Sequence, residues 1–167
     1  DERLLLEVAS RKIAKNDRQE MIIKLIRDNE ISTQDELTEL LLAKGYQVTQ
    51  ATCSRDIKDL GIIKVTVPGQ NTKYAVLDRT GDIAPGRLLA VFSNSLLSCS
   101  SAMNLVIVRT LPGMAQAAAS ALDSMHLSNV VGSIAGDDTV FVATTGIDEA
   151  NALVSTIKAM MNSSNLD

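Results

Sequence analysis

Thr33–Val65, TQDELTELLLAKGYQVTQATCSRDIKDLGIIKV, is the stretch on which the fold turns. Thr33-Gln34-Asp35-Glu36 is a capping box, in which a hydroxyl and a glutamate three residues on satisfy two orphan N–H groups at a helix start. Leu37, Leu40 and Leu41 follow at helical spacing, and Gly45 is placed to end the helix in the left-handed conformation. Tyr46-Gln47-Val48 makes a tight connection. A further helix runs from Gln50 to Leu60, with Thr49 as N-cap and Gly61 just past its end. Its packed stripe is Cys53, Ile57 and Leu60, and the other side shows Gln50, Thr52, Ser54, Arg55 and Lys58. Two helices joined by so short a turn read as a helix-turn-helix.

The pattern extends both ways. Upstream, Arg18–Asp28 carries Ile22, Leu25 and Ile26 at helical spacing, with Asp17 as cap and Glu20 at the box position. Downstream, Ile63, Val65 and Val67 alternate, Pro68-Gly69-Gln70-Asn71-Thr72 turns, and Tyr74 and Val76 alternate back. Residues 18–77 are therefore predicted to form a winged helix-turn-helix. Its third helix has what a DNA reader needs: one packed face, and another bearing short polar donors with Arg or Lys for base edges and phosphates. Gln pairs with adenine and Arg with guanine. Lys64 and Lys73 are candidates for setting the wing against the DNA backbone. Periodicity alone allows equally a surface helix in a protein-interaction module.

Charge sharpens the domain division. The 167 residues carry a net charge of −4, with 46% hydrophobic and 2% aromatic residues. Positions 1–78 hold 12 basic and 13 acidic residues, whereas 79–167 hold only four and seven. So sparse a charge density in the second half suggests surface covered by copies of itself. Residues 78–86, DRTGDIAPG, have linker composition, and 87–167 form a second domain. A short helix from Arg87 to Ser93 precedes strands near Leu96–Cys99 and at Asn104–Thr110. A helix Ala115–Met125 follows, then strands Val130–Ala135 and Thr139–Thr145, and a last helix capped by Asp148. The order ββαββα predicts an α+β sandwich, so the whole is a two-domain α/β chain. No apolar run approaches the roughly 18 residues of a membrane span. Two cysteines without metal-type spacing, and no secretory leader pattern, point to a reducing cytoplasm.

The unusual chemistry of the second domain is Asp137-Asp138, adjacent carboxylates in a turn between Gly136 and Thr139. They repel unless a cation or donor stands near. A divalent metal wants more oxygen ligands than this stretch supplies. A guanidinium or ammonium group suits it through charge-assisted bonds, and a solvated turn is the plain alternative. On the preceding helix, Gln116 and Asp123 share a face at i, i+7.

Three segments carry a resemblance: Thr33–Val65 as quoted, RTLPGMAQAAASALD (Arg109–Asp123) and GSIAGDDTVFV (Gly132–Val142). Together with their order, from about Arg18 to Met161, they make the chain similar to the bacterial arginine repressor family. That resemblance implies a winged helix-turn-helix followed by an oligomerisation and arginine-binding domain. Trimers of the second domain stack into a hexamer, and L-arginine binds between trimers as corepressor for operator DNA; no other cofactor is implied. Carried over by position, Ser54 and Arg55 would read bases, assisted by Gln34, Gln50, Thr52 and Lys58. Gln116, Asp123, Ala135, Asp137, Asp138 and Thr139 would line the arginine site. The expected function is arginine-dependent repression, with activation of some genes, and no catalysis. The alternatives are an amino-acid-sensing regulatory subunit and a DNA-binding regulator without an effector.

The chain departs from the pattern in places. Cys53 stands where an aliphatic residue is usual and is read as a small core hydrophobe. Met114 takes a position where Asn or a small residue is common, and Ser101-Ala102-Met103-Asn104 lacks the usual turn glycine. Residues 1–17 are an extension, expected to be a disordered tail, although Arg11, Lys12 and Lys15 are suited to a DNA backbone. His126, the one histidine, reads as a helix-end residue.

Overall fold

Ile22 on one helix, Leu37 and Leu41 on the next and Cys53 on a third are fully buried together, and that core builds the first half of the molecule. The computed structural model describes residues 2–77 and 85–163. Helices α1 (Glu2–Asp28), α2 (Gln34–Ala43) and α3 (Gln50–Asp59) are followed by strands β1 (Ile63–Val65) and β2 (Lys73–Ala75). The capping box forms as expected: Thr33 Oγ1 accepts from Glu36 N–H, and the Glu36 carboxylate accepts from Thr33 N–H. Gly45 (φ 90) and Gly61 (φ 64) end α2 and α3 in the left-handed region.

The first helix starts elsewhere than its sequence pattern suggests. α1 is continuous through Asp17, so Asp17 caps nothing. Its carboxylate instead accepts from the Tyr46 hydroxyl at 3.0 Å and raises the Tyr46 pKa. The disordered tail expected for residues 1–17 is thus helical from Glu2. The proposed linker is shorter at its far end, because Pro85 and Gly86 begin α4 (Pro85–Ser95); its residues 78–84 lie outside the described part.

The wing is a strand pair with two working faces. Ile63, Val65, Ala75 and Leu77 pack into the core of the second half, while Tyr74 and Val76 pack against the three helices. Neighbouring side chains on a strand point to opposite faces, so the hairpin is a wall shared by two cores. Lys64 stands over the Tyr74 ring, 5.1 Å from its centroid, and Lys73 pairs with Glu30 at 2.8 Å. Both lysines that are candidates for the DNA backbone also have a partner within the chain.

The second half contains β3 (Leu96–Ala102), β4 (Leu105–Thr110), α5 (Ala115–Ser124), β5 (Val130–Ala135), β6 (Thr139–Thr144) and α6 (Ile147–Ser163). The strands form one antiparallel sheet in the order β3-β4-β6-β5. Val106, Val108, Val140 and Val142 face the helices and are buried with Ala118, Leu122 and Ile157. Asp148 lies inside the first turn of α6 rather than at its cap, where an acid still favours the helix N-terminus. The other sheet face is uncovered in the single chain. Ile107, Phe141 and Ile134 lie side by side across β4, β6 and β5, with Phe141 48% and Ile134 73% exposed.

The β3–β4 turn shows the cost of the missing glycine. Met103 sits at φ 55, where L side chains are strained by about 1–2 kcal/mol. Met103→Gly is expected to stabilise the fold by about 0.5–1 kcal/mol, the greater freedom of glycine in the unfolded chain offsetting part of the relief. Urea unfolding at fixed protein concentration measures it, and a destabilised variant contradicts it.

Candidate DNA-reading and effector-binding sites

The orientation of α3 is fixed by a group that the sequence pattern does not reveal. Asp56 is 1% exposed, buried between α3 and α1. Arg18 donates to it through Nε at 2.5 Å and through Nη2 at 3.2 Å, and Gln19 Nε2 donates at 2.9 Å. The hydrogen bond to Asp56 raises the Arg18 pKa against the opposing effect of burial. At the next turn Lys15 Nζ reaches Asp59 at 2.7 Å. Lys15, Arg18 and Gln19 lie on one face of α1, and Asp56 and Asp59 on one face of α3, so the clamp sets the rotation of α3 about its axis. The hydrophobic stripe misses Asp56 because an aspartate is normally outside. The one hint is its position, three residues after Cys53 and within the same packed sector.

With that sector fixed, Arg55 points outward, exposed and without a hydrogen bond or ion pair among the described residues. Thr49 caps α3: its Oγ1 accepts from Thr52 N–H at 3.2 Å and lies 3.0 Å from Thr52 Oγ1. Gln34 Nε2 donates to the Gln50 carbonyl at 2.8 Å, while the Gln50 amide donates to Asp35. The two glutamines therefore tie the start of α2 to the start of α3. Ser54 and Lys58 lie half-buried along one edge of α3 and line a cleft with α6. Cys53 is fully buried and its pKa is raised by burial, as suits a core thiol.

The Asp pair occupies the β5–β6 turn, closed by Gly136 N–H donating to the Thr139 carbonyl at 2.8 Å. Backbone bonds anchor it from two sides. Thr110 N–H donates to the Asp138 carbonyl at 2.8 Å, and Ala115 N–H, at the start of α5, donates to the Asp137 carbonyl at 3.2 Å. The two carboxylates then part company. Asp138 accepts from Arg109 Nη2 at 3.0 Å and from Thr139 Oγ1 at 2.8 Å, and Arg109 Nη1 donates to Thr139 Oγ1 at 2.7 Å. Asp137 has no such partner among the described residues and faces solvent. The cation that a paired acid requires is thus supplied for one of them by Arg109, opposite Thr139 in the β4–β6 register. A lone Arg in the apolar strand LVIVRT was the available signal for it.

Gln116 Nε2 donates to the Ala135 carbonyl at 3.2 Å, which brings Gln116, Ala135 and the Asp turn to one end of β5. Asp123 lies two turns further along α5, roughly 10 Å away at 1.5 Å per residue, where it accepts from Ser133 Oγ at 2.9 Å. Gln116, Asp123 and Asp137 are all exposed along this edge. Among the described residues, no group of three or more His, Cys, Asp or Glu is arranged to hold a metal ion.

Breaking the α1–α3 clamp on one side tests its weight. Asp56→Ala leaves Arg18 without its partner and is expected to cost about 3 kcal/mol, whereas Arg18→Met/Asp56→Leu is expected to fall within about 1 kcal/mol of the parent. Denaturant unfolding of both variants decides, and equal losses would refute the ion-pair account.

Comparison with known proteins bears on both halves. Residues 13–82 match the family model described as arginine repressor, DNA binding domain, and residues 92–159 match arginine repressor, C-terminal domain. The chain is 47% identical over 148 residues to the arginine repressor of Caldicellulosiruptor bescii, covering 89% of this chain and 97% of that protein. It is 50% identical over 128 residues to the arginine repressor of Acetivibrio thermocellus, covering 77% and 84% respectively. The arginine repressor of Lachnospira eligens is 39% identical over 147 residues, 88% of this chain and 97% of that one.

Proposed function

Since the chain belongs to the arginine repressor family, we propose that it is a transcriptional repressor that binds operator DNA through α3 and takes L-arginine as corepressor. The observation that carries the effector assignment is the split Asp pair. Asp138 is engaged by Arg109, while Asp137 stands exposed beside Gln116 and the start of α5. An exposed carboxylate beside a side-chain amide and a backbone carbonyl suits a ligand bearing guanidinium and ammonium groups. Asp123, Ala135 and Thr139 extend the same edge.

That edge is open in one chain, and a second copy is proposed to close it. The uncovered row Ile107, Phe141, Ile134 gives self-association an apolar surface. Trimers, and a pair of trimers with L-arginine between them, fit this reading. The protein then acts in the cytoplasm, without catalysis, on genes of arginine metabolism. On the DNA side, Arg55 is the base-reading residue with Ser54 beside it. Gln50, Thr52 and Gln34 hold the helix start, and Lys58 flanks the groove.

Two substitutions separate the halves of this function. Asp137→Asn is expected to abolish the L-arginine titration in calorimetry while the protein stays folded, and an unchanged titration rejects the site. Arg55→Ala is expected to cost about 1–3 kcal/mol of operator affinity at fixed salt with the oligomer unchanged in light scattering. Undiminished operator binding rejects α3 as the reader.

A further inference from the structure

We infer that Asp35 is a specificity-determining residue for DNA: it holds the side-chain amide of Gln50 nitrogen-inward, so that Gln50 favours adenine over guanine. The inference rests on α3 being the DNA-reading helix.

Asp35 is exposed in the first turn of α2, and Gln50 is exposed as the first residue of α3. Gln50 Nε2 donates to Asp35 Oδ1. The backbone of Gln50 is held as well, because Gln34 Nε2 donates to its carbonyl at 2.8 Å. Thr49, the residue before it, is fixed in turn by capping α3. Gln50 is thus fastened to α2 through both its backbone and its side chain, although it faces solvent.

The direction of the amide follows from its partner. A carboxylate only accepts hydrogen bonds, so it meets the nitrogen of a glutamine and not the oxygen. One N–H of Nε2 is then committed to Asp35, and the other N–H and Oε1 remain for a base edge. Adenine matches that pair in the major groove, with N6–H₂ as donor and N7 as acceptor. Guanine presents two acceptors there, O6 and N7, and would set one of them against Oε1. A glutamine free to turn can aim both N–H groups at guanine, whereas Gln50 must first break its bond to Asp35.

Asp35 has a second possible use, because an acid in the first turn favours a helix. Glu36 already supplies a carboxylate there and completes the capping box with Thr33. An acid beside the start of α3 also repels phosphate, which costs affinity on every DNA sequence alike. The two uses differ in what they predict. Loss of a helix-start acid weakens binding to all sequences, while loss of an orienting acid changes the choice at one base pair.

A double-mutant cycle in the full-length chain tests this, with L-arginine present throughout. The probe is a duplex enriched from random sequence by the parent, and Gln50→Ala marks the base pair that Gln50 reads. Affinities are then compared on duplexes that differ only there. Asp35→Asn, whose amide can donate to Oε1 as readily as accept from Nε2, should lower the adenine-over-guanine ratio by about fivefold or more. It should leave the base pairs sensitive to Arg55→Ala unchanged, and should bind an unrelated duplex at least as tightly as the parent. In the Gln50→Ala background, Asp35→Asn should leave the ratio where it was. An unchanged ratio in Asp35→Asn, an equal fall in both backgrounds, a parent that prefers guanine, or weaker binding to all duplexes alike overturns the inference. So does a Gln50→Ala variant that alters no base pair. If the parent enriches no duplex at all, the DNA assignment itself fails.

Discussion

Ile62 and Ile63 are consecutive and almost fully buried, yet they belong to different cores: Ile62 to the three helices, Ile63 to the sheet and its helices. The pleat of a strand permits this and little else does, because it sends successive side chains to opposite faces. The same division recurs on the partner strand, where Tyr74 and Val76 go one way and Ala75 and Leu77 the other. The hairpin therefore has no solvent face in the usual sense. Its pairing ties the position of the helix-turn-helix to that of the second domain.

Within that frame, polar contacts define what the cores leave loose. Apolar packing of Cys53, Ile57 and Leu60 holds α3 against its neighbours, but hydrophobic contact is non-directional. Asp56 supplies the direction, because a buried carboxylate must meet donors in particular directions. A buried ion pair adds little to stability on balance but can select one arrangement over others. Arg109 has a comparable part in the second domain. It draws Asp138 and Thr139 into one network and leaves Asp137 as the outward acid.

Much of this was legible in the residues. Both glycine-terminated helices, the capping box at Thr33, the N-cap at Thr49, the ββαββα order and the packed role of Cys53 all follow from local rules with short reach. What escaped was long-range or counter to type. Asp56 and Arg18 are 38 residues apart, and no periodicity links them. The alternation of Ile63 and Val65 announced a buried face without saying that the other domain buries it. Periodicity likewise gives no sign of the contacts that Lys64 and Lys73 make with Tyr74 and Glu30. The helix start at Asp17 was misplaced because a capping side chain is only one use of an aspartate, and a tyrosine hydroxyl claimed this one. On the effector side, spacing put Gln116 and Asp123 on one face of α5, whereas the contact of Gln116 with Ala135 beside the Asp turn is long-range and lies beyond it.

A second copy covering the exposed row of Ile107, Phe141 and Ile134 would give the fold a dependence on abundance. When one copy covers this face of another, association free energy becomes part of folding free energy, and the melting temperature then rises with total protein. Dilution acts as a mild denaturant on such a chain, and scarcity exposes the face to proteases and to unrelated apolar surfaces. The amount of protein made would then itself be a variable of its structure.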